Sequence, residues 1–217
     1  MRPESRRDFL ALLASAALWP LPVTSGEDRK SVSVPAGLPK LPGDPVFHAG
    51  DSGGFVVYEA RSLKPLHAGS NRLRLALRTA AASVAKTFCA YAALRNGLLA
   101  RDEVLLCDGD GYKAEGHGRI DVIEALALSC NTFFEKAGAR LTWEQFRESC
   151  RRLGNLENRL PEKPASLLGR LDVYAHGSGI KTGFEELACI ARAVAFADPE
   201  DAALSVVRRG WREAVTR

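Results

Sequence analysis

Ser83-Val84-Ala85-Lys86 places a hydroxyl and an amine three residues apart. On a helix that spacing puts both on one face, within reach of each other. An alcohol is a weak nucleophile until a base takes its proton. A buried Lys becomes such a base, because desolvation lowers its pKa toward neutrality. The stretch follows Thr79-Ala80-Ala81-Ala82 and runs into an apolar helical pattern, which puts Ser83 at a first helical turn. Backbone N–H groups and the positive dipole end there would stabilise the oxyanion of an acyl transfer. S-x-x-K alone occurs by chance in many chains, so its weight depends on its company.

Ser129-Cys130-Asn131 follows 46 residues later, between two short helical patterns. A second Ser beside a Ser–Lys pair relays protons to a leaving group, and an Asn amide orients the Lys and a substrate carbonyl. Read alone, S-x-N is equally a helix cap. A third short motif, Lys181-Thr182-Gly183, leads into Phe184-Glu185-Glu186-Leu187-Ala188. Apolar residues at 184, 187, 188, 191 and 194 give helical spacing, not strand alternation. Thr182 and Glu185 form a capping-box pattern, which makes Thr182 an N-cap and Lys181 a residue just ahead of a helix.

Elements able to position these groups follow from pattern. Phe55 to Ala60 is a β-rich run, Arg61 to Lys64 a turn and Pro65 to Ala68 a return strand, together a hairpin. A helix spans Ser83 to Asn96, with Gly97 as its stop. Residues 104–118 read as a Gly- and Asp-rich loop. Asp121 caps a helix over Val122–Leu128, and a second covers Thr132–Ala139. Thr142-Trp143-Glu144-Gln145 is a capping box opening a helix that ends near Gly154. Residues 155–170 read as loop, 184–196 as helix, and a last helix begins at Asp198-Pro199. There is no internal repeat.

The chain has 217 residues, 46% hydrophobic and 26% charged, with a net charge of +4. That is globular composition, and its scattered basic residues argue against a nucleic-acid partner. Residues 1–22 read as an export signal. Ser5-Arg6-Arg7-Asp8-Phe9-Leu10 precedes an apolar run too short to span a bilayer and broken by Pro20. The segment resembles a twin-arginine signal, while an ordinary secretory signal or an uncleaved anchor shares its composition. Either way the chain is expected to be exported, to the periplasm or cell envelope, and to touch the membrane only through this segment, if it is uncleaved. Residues 23–50, with Pro35, Pro39, Pro42 and Pro45, read as a linker, and 51–217 as the folded domain. The five cysteines (89, 107, 130, 150 and 189) are odd in number and lack a C-x-x-C, so they read as buried thiols. His48, His67, His117 and His176 show no ligand spacing, so no metal or other cofactor is expected.

S-x-x-K followed by S-x-N is more specific than either motif. In that order, and in these settings, the chain resembles the transpeptidase domain of high-molecular-weight penicillin-binding proteins, defined by S-x-x-K, S-x-N and K-T-G. Phe55 to Leu66 resembles the family's opening hairpin, and Ala92-Ala93-Leu94-Arg95-Asn96-Gly97 the end of its nucleophile helix. Gly116-His117-Gly118, Glu124-Ala125-Leu126 and Ser129 to Phe134 resemble its S-x-N neighbourhood. The resemblance spans about residues 52–217. It implies Ser83 as acylated nucleophile, Lys86 as base, Ser129 as proton relay and Asn131 as the residue positioning substrate and Lys86. It implies peptidoglycan stem peptides and β-lactams as ligands. His117 and Cys130 match family residues and are read structurally, as a tight loop and a buried small side chain.

The same resemblance sets Lys181-Thr182-Gly183 aside. Gly177 to Thr182 resembles a Gly-x-Gly loop preceding a helix, and residues 204–215 the helix shortly before the family's K-T-G strand. The expected fold is therefore α+β of the transpeptidase and β-lactamase type: an N-terminal hairpin, a mostly helical cluster, and the remaining strands missing at the C terminus. A separately encoded C-terminal fragment is then an expected partner. Besides a transpeptidase, two readings stay open: a non-catalytic relative acting as a binding module, and a β-lactamase-like hydrolase.

Overall fold

The computed structural model describes residues 53–71, 78–109 and 113–216. Residues 1–22, read as an export signal, and 23–50, read as a linker, lie outside the described residues. Strands β1 (Gly53–Tyr58) and β2 (Pro65–Asn71) pair antiparallel, with a bulge between Val57 and Tyr58. The turn between them closes through Glu59. Its carboxylate accepts the N–H groups of Ser62 at 2.6 Å and Arg61 at 3.2 Å. Hydrogen bonds from Ser62, then from Arg61, hold the Glu59 carboxyl below its usual range. Leu63 takes a left-handed φ of 57° to complete the reversal. The hairpin groups with Arg78 and residues 183–188 as one compact unit, and the rest of the described chain forms a second.

The second unit is built around α1 (Ala85–Arg95). Every residue from Ala85 to Ala93 is buried, the polar Lys86 and Thr87 among them, so this helix is enclosed around its whole circumference. It is enclosed by α3 (Asn131–Gly138), α4 (Trp143–Gly154), a π-helical turn at Asp172–His176 and α7 (Ala202–Thr216). The core between them is aromatic. Phe88 meets Phe146 edge-on at 6.3 Å, and Tyr174 lies 4.4 Å from Phe146 and 6.2 Å from Trp143. Helix α2 (Val122–Ala127) packs along α7. Gly210 allows that approach, because a Cβ there would sit 2.7 Å from the Leu126 side chain.

Caps set the helix limits where side chains supply them. Asp121 accepts the N–H groups of Ile123 and Glu124, both at 2.9 Å, and opens α2. The capping box of Thr142 and Gln145 opens α4, and Asn155 at φ 53° closes it. Four expectations shift. Residues 104–118 are not all loop: β4 (Leu105–Cys107) pairs antiparallel with β5 (Gly118–Ile120). Three-residue strands are too short to show alternation. Residues 155–170 carry a 3-10 turn at Glu157–Arg159 and the start of α5 (Leu167–Leu171), capped by Ser166. The last helix begins at Ala202, because Asp198 turns the chain by accepting from Glu200, and Asp201 does the capping, accepting the Leu204 N–H at 3.0 Å.

The fourth shift is at Thr182. Lys181–Thr182 forms a two-residue strand, β6, paired with β3 (Thr79–Ala80). Thr182 is buried and paired with Thr79, so it does not cap. The cap role moves one residue on: the Gly183 N–H donates to the Glu186 carboxylate at 3.0 Å, and α6 spans Phe184–Ala195. The helix expected after the Lys-Thr-Gly triplet is present, one residue late. Among the described residues the strands form three two-stranded ribbons, and no helix is long and apolar enough to cross a membrane.

Candidate active site

Ser83 lies in a 3-10 turn, Ala82–Val84, that feeds directly into α1. The turn is held from behind. The Ala81 N–H donates to the Ile180 carbonyl at 2.8 Å, and the β3–β6 pairing continues the contact. Ala82 adopts φ 47°, a left-handed conformation uncommon for a residue with a Cβ. Gly177, at φ 71°, presses against it so closely that a Cβ would lie 2.6 Å from the Ala82 nitrogen and oxygen. The Gly177-Ser178-Gly179 loop is thus the seat of the nucleophile turn, and any side chain at 177 would be strained and would displace the Ala82 backbone.

Three of the four residues read from the motifs meet. Lys86 Nζ lies 3.2 Å from the Ser83 hydroxyl oxygen, one helical turn away. The Ser129 hydroxyl donates to the same oxygen at 2.7 Å. Lys86 is only 2% exposed, whereas Ser83 and Ser129 face solvent. A nucleophile open to substrate thus sits on an amine shielded from water. Beside Lys86 on α1, Thr87 accepts the Trp211 indole N–H at 3.1 Å, which ties α7 to this stretch.

Ser129 reaches Ser83 from the break between α2 and α3. Its φ of 52° is also left-handed, and this turns the chain sharply after α2. Cys130 then caps α3, its thiol accepting the Phe133 N–H at 3.4 Å. Asn131 is the first residue of α3 and is buried. It stands two residues from Ser129, and no hydrogen bond joins it to Ser83 or Lys86. The Lys181 side chain is exposed on β6, beside the nucleophile turn rather than in an extended strand.

The model of the penicillin binding protein transpeptidase domain matches residues 53–195, more than half of the chain. The chain belongs to the penicillin-binding protein transpeptidase family. The matched span runs from β1 to the end of α6 and contains Ser83, Lys86, Ser129 and Asn131. No curated protein matches the chain. The α+β architecture, a hairpin followed by a helical cluster with small sheets, agrees with a transpeptidase-like fold.

Reading along the sequence missed two features of this neighbourhood. One is the seat at Gly177, for which the Gly-x-Gly pattern was the available signal. The other is a cluster beside the S-x-N turn, where Cys107, His117 and Cys130 converge from separate segments with their ligating atoms all within 4.8 Å. Linear spacing carried no sign of it, because β4–β5 pairing brings the first two together.

Proposed function

We propose that this chain is an exported serine acyl-transferase of the D,D-transpeptidase type, acting on peptidoglycan stem peptides in the periplasm or cell envelope. The observation that carries the reading is the hydroxyl of Ser83 held between the Lys86 amine at 3.2 Å and the Ser129 hydroxyl at 2.7 Å. Ser83 Oγ attacks the penultimate D-Ala carbonyl, and its proton passes to Lys86 Nζ. The tetrahedral intermediate collapses when the proton is relayed through Ser129 to the leaving D-Ala amine. The C–N bond breaks and the Ser83 ester remains. An acceptor amine or water then attacks that ester, giving its proton back through the same pair. Asn131 orients the substrate carbonyl and Lys86, a role that requires its side chain to turn toward them as substrate enters. β-Lactams acylate Ser83 by the same attack on their strained amide.

A second reading, a binding module without turnover, is favoured by one observation. Lys181-Thr182-Gly183 pairs over only two residues and then turns into α6. Labelling with a fluorescent penicillin separates the two. The transpeptidase reading expects a covalent label on the full chain that Ser83→Ala abolishes. Ser129→Ala should slow labelling by about 10²–10⁴-fold, the usual worth of a positioned proton relay. A folded chain that takes no label supports the binding module, and rapid loss of label points to a hydrolase.

A further inference from the structure

Helix α7 lies outside the span that the transpeptidase model matches, yet one turn of it touches both arms of the candidate site. Trp211 donates its indole N–H to the Thr87 hydroxyl at 3.1 Å. Thr87 follows Lys86 in the first turn of α1, and each is only 2% exposed. Gly210, the residue before Trp211, is buried against α2. A Cβ there would stand 2.7 Å from the Leu126 side chain and 3.3 Å from the Ile123 carbonyl oxygen. Helix α2 leads into Ser129. Adjacent residues of α7 thus meet the helix that carries the amine and the helix that delivers the second hydroxyl. Resting on the transpeptidase reading, we propose that Trp211 is a positioning residue for acyl transfer: its bond to Thr87 fixes the first turn of α1 and keeps the Lys86 amine dry and aimed at Ser83.

The bond joins two neutral groups, so it brings no charge to the amine and acts through geometry. Thr87 is β-branched, and its stiff χ1 ties the hydroxyl closely to the backbone. A partner on that hydroxyl therefore holds the backbone one residue from Lys86. Lysine itself is flexible, with a four-carbon stem that packing must confine. Two properties make its amine a base here. It stands 3.2 Å from the Ser83 hydroxyl, and it is shielded from water, which disfavours its charged form. A small rotation of the turn lengthens the contact and admits water, and both changes weaken the base.

The start of α7 is tethered to α1 by other means. Asp201, just ahead of the helix, accepts from the Tyr91 hydroxyl at 3.1 Å and pairs with Arg95 at 3.5 Å. Tyr91 stands more than one helical turn beyond Lys86. That tether holds the two helices together without reaching the amine, and it supplies a control for general loosening.

Carbon-13 NMR of the full chain labelled at lysine Cε follows the Lys86 titration, with Lys86→Arg assigning the resonance. Trp211→Phe keeps an aromatic ring and deletes the donor. Thr87→Val deletes the acceptor at nearly the same shape. Each should raise the Lys86 midpoint by about half a pH unit or more, and the double variant no further than either alone, because both cut one bond. Acylation by a fluorescent penicillin draws on the neutral amine. Below the midpoint its rate should fall about threefold or more, the same shift read as a population. Tyr91→Phe should lower the thermal midpoint and leave the Lys86 titration in place. An unmoved Lys86 midpoint in Trp211→Phe and Thr87→Val, both folded by circular dichroism, overturns the proposal. So does an equal shift in Tyr91→Phe, the mark of general loosening. The resonance reads the amine without acyl transfer. An unsubstituted chain that takes no label, with a Lys86 midpoint that still follows Trp211, defeats the transpeptidase reading and leaves the tether standing.

Discussion

Ser83 carries a conformational cost that its neighbours impose. Ala82, just before it, is left-handed at φ 47°, and Ser129, which donates to it, is left-handed at φ 52°. Such residues cost on the order of 1–3 kcal/mol each, and they persist only where packing holds them. Gly177 does the holding for Ala82. A methyl group there meets the Ala82 backbone at 2.6 Å and forces φ 71° on a residue with a Cβ. Gly177→Ala should therefore lower stability by about 1–3 kcal/mol. At roughly 2–4 °C per kcal/mol for a domain of this size, thermal unfolding monitored by circular dichroism should show the drop. Penicillin labelling of that variant should fall as well, because the turn that aims Ser83 is displaced. An unchanged midpoint would mean that the loop yields freely and is no seat.

Single side chains also govern elements, and two of them can be titrated or cut. Glu59 closes the β1–β2 turn as a carboxylate. Its folded pKa is lowered by Ser62 and Arg61, so its contribution is complete above the unfolded value of 4.5. The contribution is lost as pH falls below that value through the depressed folded one. The Ser62 amide resonance should shift in that acid range in NMR spectra, and Glu59→Gln should remove the shift. At α2, Asp121 satisfies two otherwise orphaned N–H groups. Asp121→Ala should cost about 0.5–2 kcal/mol by chemical denaturation. Because α2 leads into Ser129, that loss should come with slower acylation even though Asp121 touches no reacting atom.

Stability of the helical unit rests on the aromatic packing around α1. Phe146 is wholly buried and touches Phe88, Trp143 and Tyr174. Phe146→Ala should cost about 3–5 kcal/mol, enough to populate unfolded chain at ambient temperature in a domain of ordinary stability. Equilibrium denaturation against the unsubstituted protein measures it. The hairpin belongs to the other compact unit, and an isolated two-stranded ribbon is marginal in water. Native-state hydrogen exchange should therefore find β1 and β2 amides opening well before those of α1. Uniform protection across both would show that the hairpin shares the stability of the helical unit.

Much of this was legible along the chain because it depends on near neighbours. The Ser83–Lys86 pairing follows from one helical turn, and the caps at Asp121 and Thr142 follow from side chains reaching N–H groups two or three residues on. The S-x-N motif pointed to Ser129 by resemblance, and the fold brought it onto Ser83. What the sequence did not disclose depends on contacts between distant segments. Thr182 fits a capping pattern locally, yet pairing with Thr79, more than a hundred residues earlier, buries it and passes the cap to Gly183. Cys107 and His117 belong to three-residue strands and their edges, with no periodicity to read, and only their ribbon places them beside Cys130. Local hydrogen bonding is written in adjacent residues. Which remote backbone a strand or a glycine will meet is settled only when the core packs.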